Sequence, residues 1–102
     1  MPKMVWWSVP FLFDRITKDF AREDRSEPTF NEVLSADVLF LDDLGTQQGK
    51  PWETERLFQI LDRRLNSELP TFVTTNLSPD ELRSILHERI VSRLVGLCMP
   101  IT

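Results

Sequence analysis

Residues 38–45 have the sequence Val-Leu-Phe-Leu-Asp-Asp-Leu-Gly, in which four apolar residues precede two carboxylates. An unbroken apolar run of this length is typical of a strand buried on both faces, as in the centre of a parallel sheet. Open α/β sheets bind their ligands beyond the carboxyl ends of such strands. We therefore predict a strand over 36–42 that places Asp42 and Asp43 at a ligand-binding edge.

Predicted strands and helices alternate along the rest of the chain. Residues 3–8 and 70–75 are rich in β-branched and aromatic types, and a further strand is expected over 97–101. Apolar residues at helical spacing predict helices between these strands, and Pro51 begins one that is expected to end near Ser67. This alternation is typical of an α/β fold with a parallel sheet and flanking helices.

Local signals mark where two further helices begin. Thr29 with Glu32, and Ser78 with Glu81, have the spacing of a capping box. We therefore expect a short helix from Thr29 through Leu34 and a longer one from Ser78 to Val95, with a break near His87.

The helix that begins at Pro51 is expected to bury a face of large apolar side chains. These are Leu57, Phe58, Leu61 and Leu65. Arg63 and Arg64 lie near its C-terminus, where cations interact favourably with the helix dipole.

The 102 residues and 12.0 kDa correspond to one small domain or to part of a larger one. The net charge of −4 and the pI near 4.9 disfavour a protein that reads nucleic acid with its whole surface. No apolar run approaches the roughly 20 residues of a membrane span, and residues 1–7 lack the features of a signal peptide. Cys98 is the only cysteine, which fits a reducing cytosol. We therefore expect a cytoplasmic protein without membrane contact.

The two carboxylates after the buried strand suit a hard cation. Mg²⁺ usually takes one or two carboxylates together with water and phosphate oxygens, and a second carboxylate can orient or deprotonate a water. Asp42 and Asp43 therefore match the Walker B arrangement of P-loop nucleotide hydrolases, or else form only an acidic turn after a core strand. Asn76 ends the next strand, where an amide can hold the attacking water or a phosphate oxygen, although Asn is also common in turns before helices.

Arg89 and Arg93 lie one helical turn apart and share a face. A guanidinium forms a planar fork onto phosphate oxygens, within one subunit or across a subunit boundary. The alternative is a pair of solvated arginines with Glu88 as an ion-pair partner.

Taken in order, these motifs resemble the AAA+ ATPase domain of the DnaC/DnaI-type helicase loaders, and that of the related IstB-like transposition helpers. The matching stretches are 8–10 (Ser-Val-Pro), 38–45 (Val-Leu-Phe-Leu-Asp-Asp-Leu-Gly), 74–82 (Thr-Thr-Asn-Leu-Ser-Pro-Asp-Glu-Leu) and 88–94 (Glu-Arg-Ile-Val-Ser-Arg-Leu). The resemblance covers nearly the whole chain and implies a partial AAA+ P-loop NTPase core. Residues 1–102 are then one partial domain, from the strand after the P-loop helix to just past the arginine-finger motif.

The resemblance also implies a role for each polar residue in binding ATP and Mg²⁺. Asp42 corresponds to the Walker B carboxylate that binds the metal, and Asp43 takes the place of the catalytic Glu of many AAA+ proteins. Asn76 corresponds to the sensor 1 residue. Arg93 corresponds to the arginine finger that reaches into a neighbouring subunit's site, with Arg89 as its companion at the nucleotide.

One hallmark of the family does not occur in these 102 residues. None of the three glycines, Gly45, Gly49 and Gly96, lies in a G-x-x-x-x-G-K-[ST] phosphate loop. The family places that loop and its helix just before the first strand found here. We therefore expect the central P-loop strand to be missing and the edge beside 70–75 to be open and prone to self-association. ATPase activity is expected only when the missing Walker A segment completes the domain, and the isolated chain is expected to be inactive.

The resemblance implies a replicative helicase and single-stranded DNA as partners, and self-association into an AAA+ oligomer. Relatives contact DNA with the region that corresponds to 11–34, where Lys18, Arg22 and Arg25 are the candidate residues. Acidic side chains lie among them, so that a solvated helix end is the alternative.

The sequence leaves more than one function open. The first is an ATP-dependent replicative helicase loader, or a fragment of one, that hydrolyses ATP at subunit interfaces. The second is a partner-binding or vestigial subunit without a phosphate loop and without its own ATPase activity. The third is an IstB-like transposition helper ATPase. A metal-dependent nuclease built on Asp42 and Asp43 has the least support, because two-metal sites usually need further convergent carboxylates.

Overall fold

The computed structural model describes residues 2–45, 50–85, 88, 91–92 and 100–101. Its elements are β1 (Met4–Ser8), α1 (Val9–Asp19), α2 (Pro28–Ser35), β2 (Val38–Asp42), α3 (Pro51–Asn66), β3 (Thr71–Thr74), α4 (Pro79–Ile85) and β4 (Pro100–Ile101). The predicted alternation of strands and helices is confirmed. None of the helices in this described part of the chain is long and apolar enough to span a bilayer.

The four strands form one parallel sheet in the order β1-β2-β3-β4. The register aligns Trp6 with Phe40, and Phe40 with Phe72. Because parallel connections are right-handed, a chain that advances in one direction across a sheet places its connecting helices on the same face. Helices α1, α2 and α3 accordingly contact one another in series, and they cover the face that carries the buried Leu39 and Val73.

The opposite face of the sheet remains partly open. Met4 is 64% and Trp6 62% exposed, whereas Phe40 and Phe72 are half-buried and stacked with their ring centroids 5.1 Å apart. Trp7 packs against the core instead. The two tryptophans thus point to opposite sides of β1, as the alternation of a strand requires.

The carboxyl end of β3 is paired, contrary to the open edge expected beside 70–75. Strand β4 lies next to it in parallel, with Pro100 opposite Val73 and Ile101 opposite Thr74. An unpaired edge leaves backbone N–H and C=O groups without partners, and this two-residue strand occupies that position. The prediction of an open edge is therefore wrong for Val73 and Thr74.

Two predicted helix starts have different outcomes. The capping box at Ser78 is confirmed, because the Ser78 N–H donates to Glu81 Oε1 and the Glu81 N–H donates to Ser78 Oγ, both at 3.1 Å. The capping box at Thr29 is wrong. Helix α2 begins at Pro28, and the Thr29 N–H donates instead to Asp19 Oδ2 at 3.1 Å. A carboxylate from the end of α1 thus takes the place of the local cap.

The buried face of α3 differs from the expected one and includes an arginine. It consists of Leu57, Ile60, Leu61 and Arg64, whereas Phe58 and Leu65 are half-buried. The side chain of Arg64 is fully buried. Its Nε donates to Thr71 Oγ1 at 2.7 Å, and its Nη2 donates to the Pro70 carbonyl oxygen at 2.8 Å. Its Nη1 donates to the carbonyl oxygens of Val33 and Ala36 at 2.9 and 2.7 Å. Arg64 lies near the helix end as expected. Its guanidinium forms a hydrogen-bond network that joins α3 to α2 and to the start of β3.

Asp19 is expected to make the stability of the protein depend on acid pH. Hydrogen bonds from Thr29 lower the pKa of this carboxyl below its ordinary value of 3.8, burial opposes the shift, and Arg15 and Arg22 add to it. A carboxyl whose pKa is lowered by folding contributes stability above its ordinary pKa, and this contribution is lost as the pH falls through the lower folded value. Asp19→Asn should therefore reduce the free energy of unfolding at neutral pH and flatten its fall below about pH 4.

Urea unfolding at about pH 7 and about pH 3 measures both effects. Asp14→Asn is the matched control, since Asp14 is an exposed residue of the same helix whose Oδ2 lies 3.2 Å from Lys18 Nζ. Exposed ion pairs contribute little to stability. A stability of the Asp19 variant that falls with acid as steeply as that of the wild type would contradict the prediction.

Candidate functional site

The two aspartates that follow β2 lie in a tight turn, named the acidic turn and formed by residues 42–45. Asp42 ends the strand and is half-buried. Asp43 is exposed and has a φ of 62°, a left-handed conformation that Asp adopts more readily than most residues. Gly45 has a φ of 91°, and a Cβ atom there would lie 2.7 Å from Leu77 Cδ1. The backbone of the turn thus suits the residue types found in it.

Strand β3 and the residue after it hold the acidic turn in place. Thr74 Oγ1 donates to Asp42 Oδ1 and accepts the Asp43 N–H at 3.1 Å. The Leu44 N–H donates to the backbone oxygen of Thr74 at 3.0 Å. Thr75 Oγ1 donates to the backbone oxygen of Leu44 at 2.8 Å. The position of the turn is therefore set from the neighbouring strand.

Asn76 follows Thr75 at the same edge of the sheet and is exposed. The Thr75 hydroxyl also accepts the Leu77 N–H at 3.1 Å, which fixes the chain on both sides of Asn76. Because the carboxyl ends of parallel strands share one edge, the structure brings this amide to the edge that carries the acidic turn. The two predicted arginines, Arg89 and Arg93, lie outside the described residues.

The acidic turn offers oxygen ligands. Mg²⁺ prefers such ligands and is usually held by one or two carboxylates together with water and phosphate oxygens. In the described ranges of the chain, no group of three or more His, Cys, Asp or Glu side chains could hold a metal ion. Asp42 and Asp43 therefore fit a magnesium ion whose remaining ligands come from water and a phosphate. They do not form a closed metal site by themselves.

Two of the three basic candidates for DNA contact are paired with acidic side chains. Lys18 Nζ lies 3.2 Å from Asp14 Oδ2, and Arg22 Nη2 lies 3.3 Å from Asp24 Oδ2. Arg25 is exposed and has a φ of 57°. The end of α1 and the loop after it therefore present mixed charges.

The carboxyl of Asp24 favours its ionised form. Hydrogen bonds from Ser26, together with the Arg22 guanidinium, hold the pKa of Asp24 well below its usual range. Residues 14–25 carry four basic and four acidic side chains. The candidate DNA contact thus lacks the net positive charge that binds phosphates most strongly.

The chain is similar in sequence to replicative helicase loaders. It is 34% identical to DnaC of Escherichia coli K12 over 68 residues, which cover 67% of this chain and 28% of DnaC. It is 29% identical to DnaI of Bacillus subtilis 168 over 102 aligned positions, which cover 87% of this chain and 33% of DnaI. The chain therefore spans about a third or less of the curated relatives it matches. No protein-family model matches it.

Solved structures share the fold. The structure of the DnaC helicase loader has a TM-score of 0.79 and 26% sequence identity, and the match covers 99% of this chain and 62% of that one. The replication initiator DnaA bound to AMPPCP and single-stranded DNA has a TM-score of 0.83 and 21% identity, with 98% of this chain and 31% of that one covered. At that identity the likeness to DnaA concerns the fold alone.

The parallel sheet, its flanking helices and these likenesses define the class of the protein. The described residues form a partial AAA+ P-loop NTPase core. Within that class the chain is a relative of the helicase loaders DnaC and DnaI, and the resemblance predicted from its motifs is confirmed.

Two residues, one beside the acidic turn and one in the core, do not stand out in the sequence alone. Thr74 belongs to the Thr-Thr-Asn stretch at the end of its strand. That position is the feature of the sequence that could have pointed to a contact with the acidic turn. Arg64 lies on the same helical stripe as Leu57 and Leu61. A charged residue on an apolar stripe indicates a buried side chain that needs hydrogen-bond partners, and this pattern could have identified Arg64.

Proposed function

We propose that this chain provides part of the ATP-binding core of a replicative helicase loader, which acts in the initiation of DNA replication. The acidic turn carries the proposal, because it presents two carboxylates at the end of a parallel strand and is held there by β3. The names of the curated relatives support the loading function and make a replicative helicase the proposed partner.

The proposed site uses residues beyond the ends of β2 and β3. Asp42 binds Mg²⁺, and Asp43 orients or deprotonates the attacking water. Asn76 holds the same water or a γ-phosphate oxygen. When bound, Mg²⁺ would neutralise charge on the phosphates.

Hydrolysis in this proposal depends on assembly with further AAA+ subunits. Arg93, with Arg89 as its companion, reaches the ATP of a neighbouring subunit and stabilises charge in the transition state. A lone chain would lack that contribution, so that hydrolysis by the assembly should exceed hydrolysis by single subunits.

Single-stranded DNA is a further proposed ligand of the assembly. A protein with the same fold, DnaA, is bound to such DNA in its structure. Lys18, Arg22 and Arg25 are the proposed contacts. The acidic partners of Lys18 and Arg22 weaken the attraction of this region for phosphates.

A chimaeric loader tests the proposed function. The 68 residues of this chain that match Escherichia coli DnaC replace the corresponding stretch of that protein. The remainder of DnaC then supplies the phosphate loop that the resemblance places before β1. We expect the chimaera to hydrolyse ATP in the presence of Mg²⁺ and to load the helicase of the same organism. A chimaera that is folded by circular dichroism but does neither would contradict the proposal.

The second candidate function is a partner-binding subunit without ATPase activity of its own. The observation in its favour is that no G-x-x-x-x-G-K-[ST] stretch occurs in the 102 residues. Backbone N–H groups of such a loop cradle the phosphates, and without them ATP should bind weakly. Titration of the protein purified from its natural source with a fluorescent ATP analogue separates the two functions, since a Kd below about 10 μM would exclude the second one. Stable binding to a transposase instead of a helicase would favour the IstB-like function.

A further inference from the structure

We propose that Thr74 is the positioning residue of the acidic turn, and that its hydroxyl sets the Asp42 carboxylate and the Asp43 backbone in the geometry that receives a divalent cation. The choice of cation rests on the proposed function. The positioning itself rests only on hydrogen bonds between β3 and the turn.

The Thr74 hydroxyl acts as donor and acceptor within the acidic turn. It donates its only proton to Asp42 Oδ1 and accepts the Asp43 N–H at 3.1 Å. A hydroxyl has one donor and two acceptor sites, so that one oxygen ties the side chain of one aspartate to the backbone of the next. The orientation of Asp42 is thus coupled to the left-handed conformation of Asp43, whose φ is 62°.

Other contacts of the turn do not use this hydroxyl. The Leu44 N–H donates to the backbone oxygen of Thr74 at 3.0 Å, and Thr75 Oγ1 donates to the backbone oxygen of Leu44 at 2.8 Å. Valine has nearly the shape of threonine but neither donates nor accepts a hydrogen bond through its side chain. Thr74→Val should therefore keep the strand and the turn while it releases the Asp42 carboxylate.

A fixed carboxylate matters for a cation of strict geometry. Mg²⁺ requires near-ideal octahedral coordination, and removal of a group that orients a metal ligand typically lowers metal affinity by roughly 10- to 100-fold. We therefore expect Thr74→Val to weaken binding of Mn²⁺, the spectroscopic substitute for Mg²⁺, by at least about tenfold. Thr74→Ser retains the hydroxyl and should retain most of the affinity.

The test has two readouts, one on the full 102-residue chain and one on the chimaeric loader. The amide proton shift of Asp43, measured by NMR, should move upfield in Thr74→Val and return towards the wild-type value in Thr74→Ser. The Mn²⁺ affinity of the chimaeric loader in the presence of ATP, measured by electron paramagnetic resonance, should follow the same order. Thr71→Val is the matched control, because the hydroxyl of this buried β3 threonine accepts from Arg64 Nε at 2.7 Å. It should lower stability without changing either readout.

Each outcome decides one part of the proposal. An Asp43 amide shift that is the same in wild type and Thr74→Val would overturn the positioning role. A changed amide shift with unchanged Mn²⁺ affinity would overturn the link to the cation. A parent chimaera that takes up no Mn²⁺ in the presence of ATP would count against the metal site of the proposed function, while the amide shift would still decide whether Thr74 positions the turn.

Discussion

Replacement of Arg64 by methionine is expected to remove about 3–5 kcal/mol from the free energy of unfolding. The side chain is fully buried, and its donors reach the carbonyl oxygens of Val33, Ala36 and Pro70. Methionine fills much of the same space but donates no hydrogen bond. Each buried polar group that loses its partner costs about 1–3 kcal/mol, in a domain whose total stability is about 5–15 kcal/mol.

The loss of stability should exceed that from replacing an exposed arginine, because the hydrogen bonds of Arg64 join three elements. The last four carbonyl oxygens of a helix have no intrahelical partners, and Val33 lies among them near the end of α2. Arg64 supplies a donor to this end from α3 and another to the Thr71 hydroxyl at the start of β3. The substitution should therefore loosen the attachment of both helices to the sheet.

Urea unfolding followed by circular dichroism measures the change. Arg63→Met is the matched control, because Arg63 is the preceding residue of α3 but is exposed, and it should change stability by no more than about 0.5 kcal/mol. Arg64→Lys keeps a positive charge without the planar fork of donors and should give an intermediate stability. Equal stabilities of the two methionine variants would contradict the prediction.

The alternation of strands and helices could be predicted because each element carries its own signal. The apolar run at 38–41 favours a strand whatever surrounds it, and it forms most of β2. The capping box at Ser78 and Glu81 is equally local, since its two partners lie within one helical turn. Such signals depend little on the rest of the fold.

The features that differ from expectation depend on residues far apart in the chain. Thr29 does not open its helix because the Asp19 carboxylate takes its N–H. Arg64 is buried because the carbonyl oxygens of Val33 in α2 and of Pro70 just before β3 converge on it. The edge of β3 is paired with Pro100 and Ile101, and nothing in either segment alone predicts that pairing.

Part of the candidate site could also be predicted from the sequence. Asp42 and Asp43 are identified by the strand that precedes them, and Asn76 by the end of the next strand, because parallel strands share a carboxyl edge. The contribution of Thr74 arises from the register between β2 and β3. Register is a property of the strand pair, so that it cannot be read from either strand alone.

Asp42→Asn in the chimaeric loader is expected to lower kcat/KM for Mg²⁺-ATP by at least about 100-fold. The amide oxygen can still accept the hydrogen bond from the Thr74 hydroxyl, so the acidic turn should keep its backbone. The variant loses the negative charge that the proposed site presents to Mg²⁺. Metal-assisted charge stabilisation is worth several kcal/mol, and about 1.4 kcal/mol corresponds to a tenfold change in rate.

Nucleotide binding should separate the roles of the two aspartates. The affinity for a fluorescent ATP analogue should lose its dependence on Mg²⁺ in Asp42→Asn. Asp43→Asn, the matched variant, should slow hydrolysis and leave the Mg²⁺-dependent affinity within about twofold of the parent chimaera. Unchanged turnover in the Asp42 variant would remove this carboxylate from the site. Loss of metal-dependent binding in the Asp43 variant alone would exchange the two roles, because it would make the exposed, left-handed Asp43 the metal ligand.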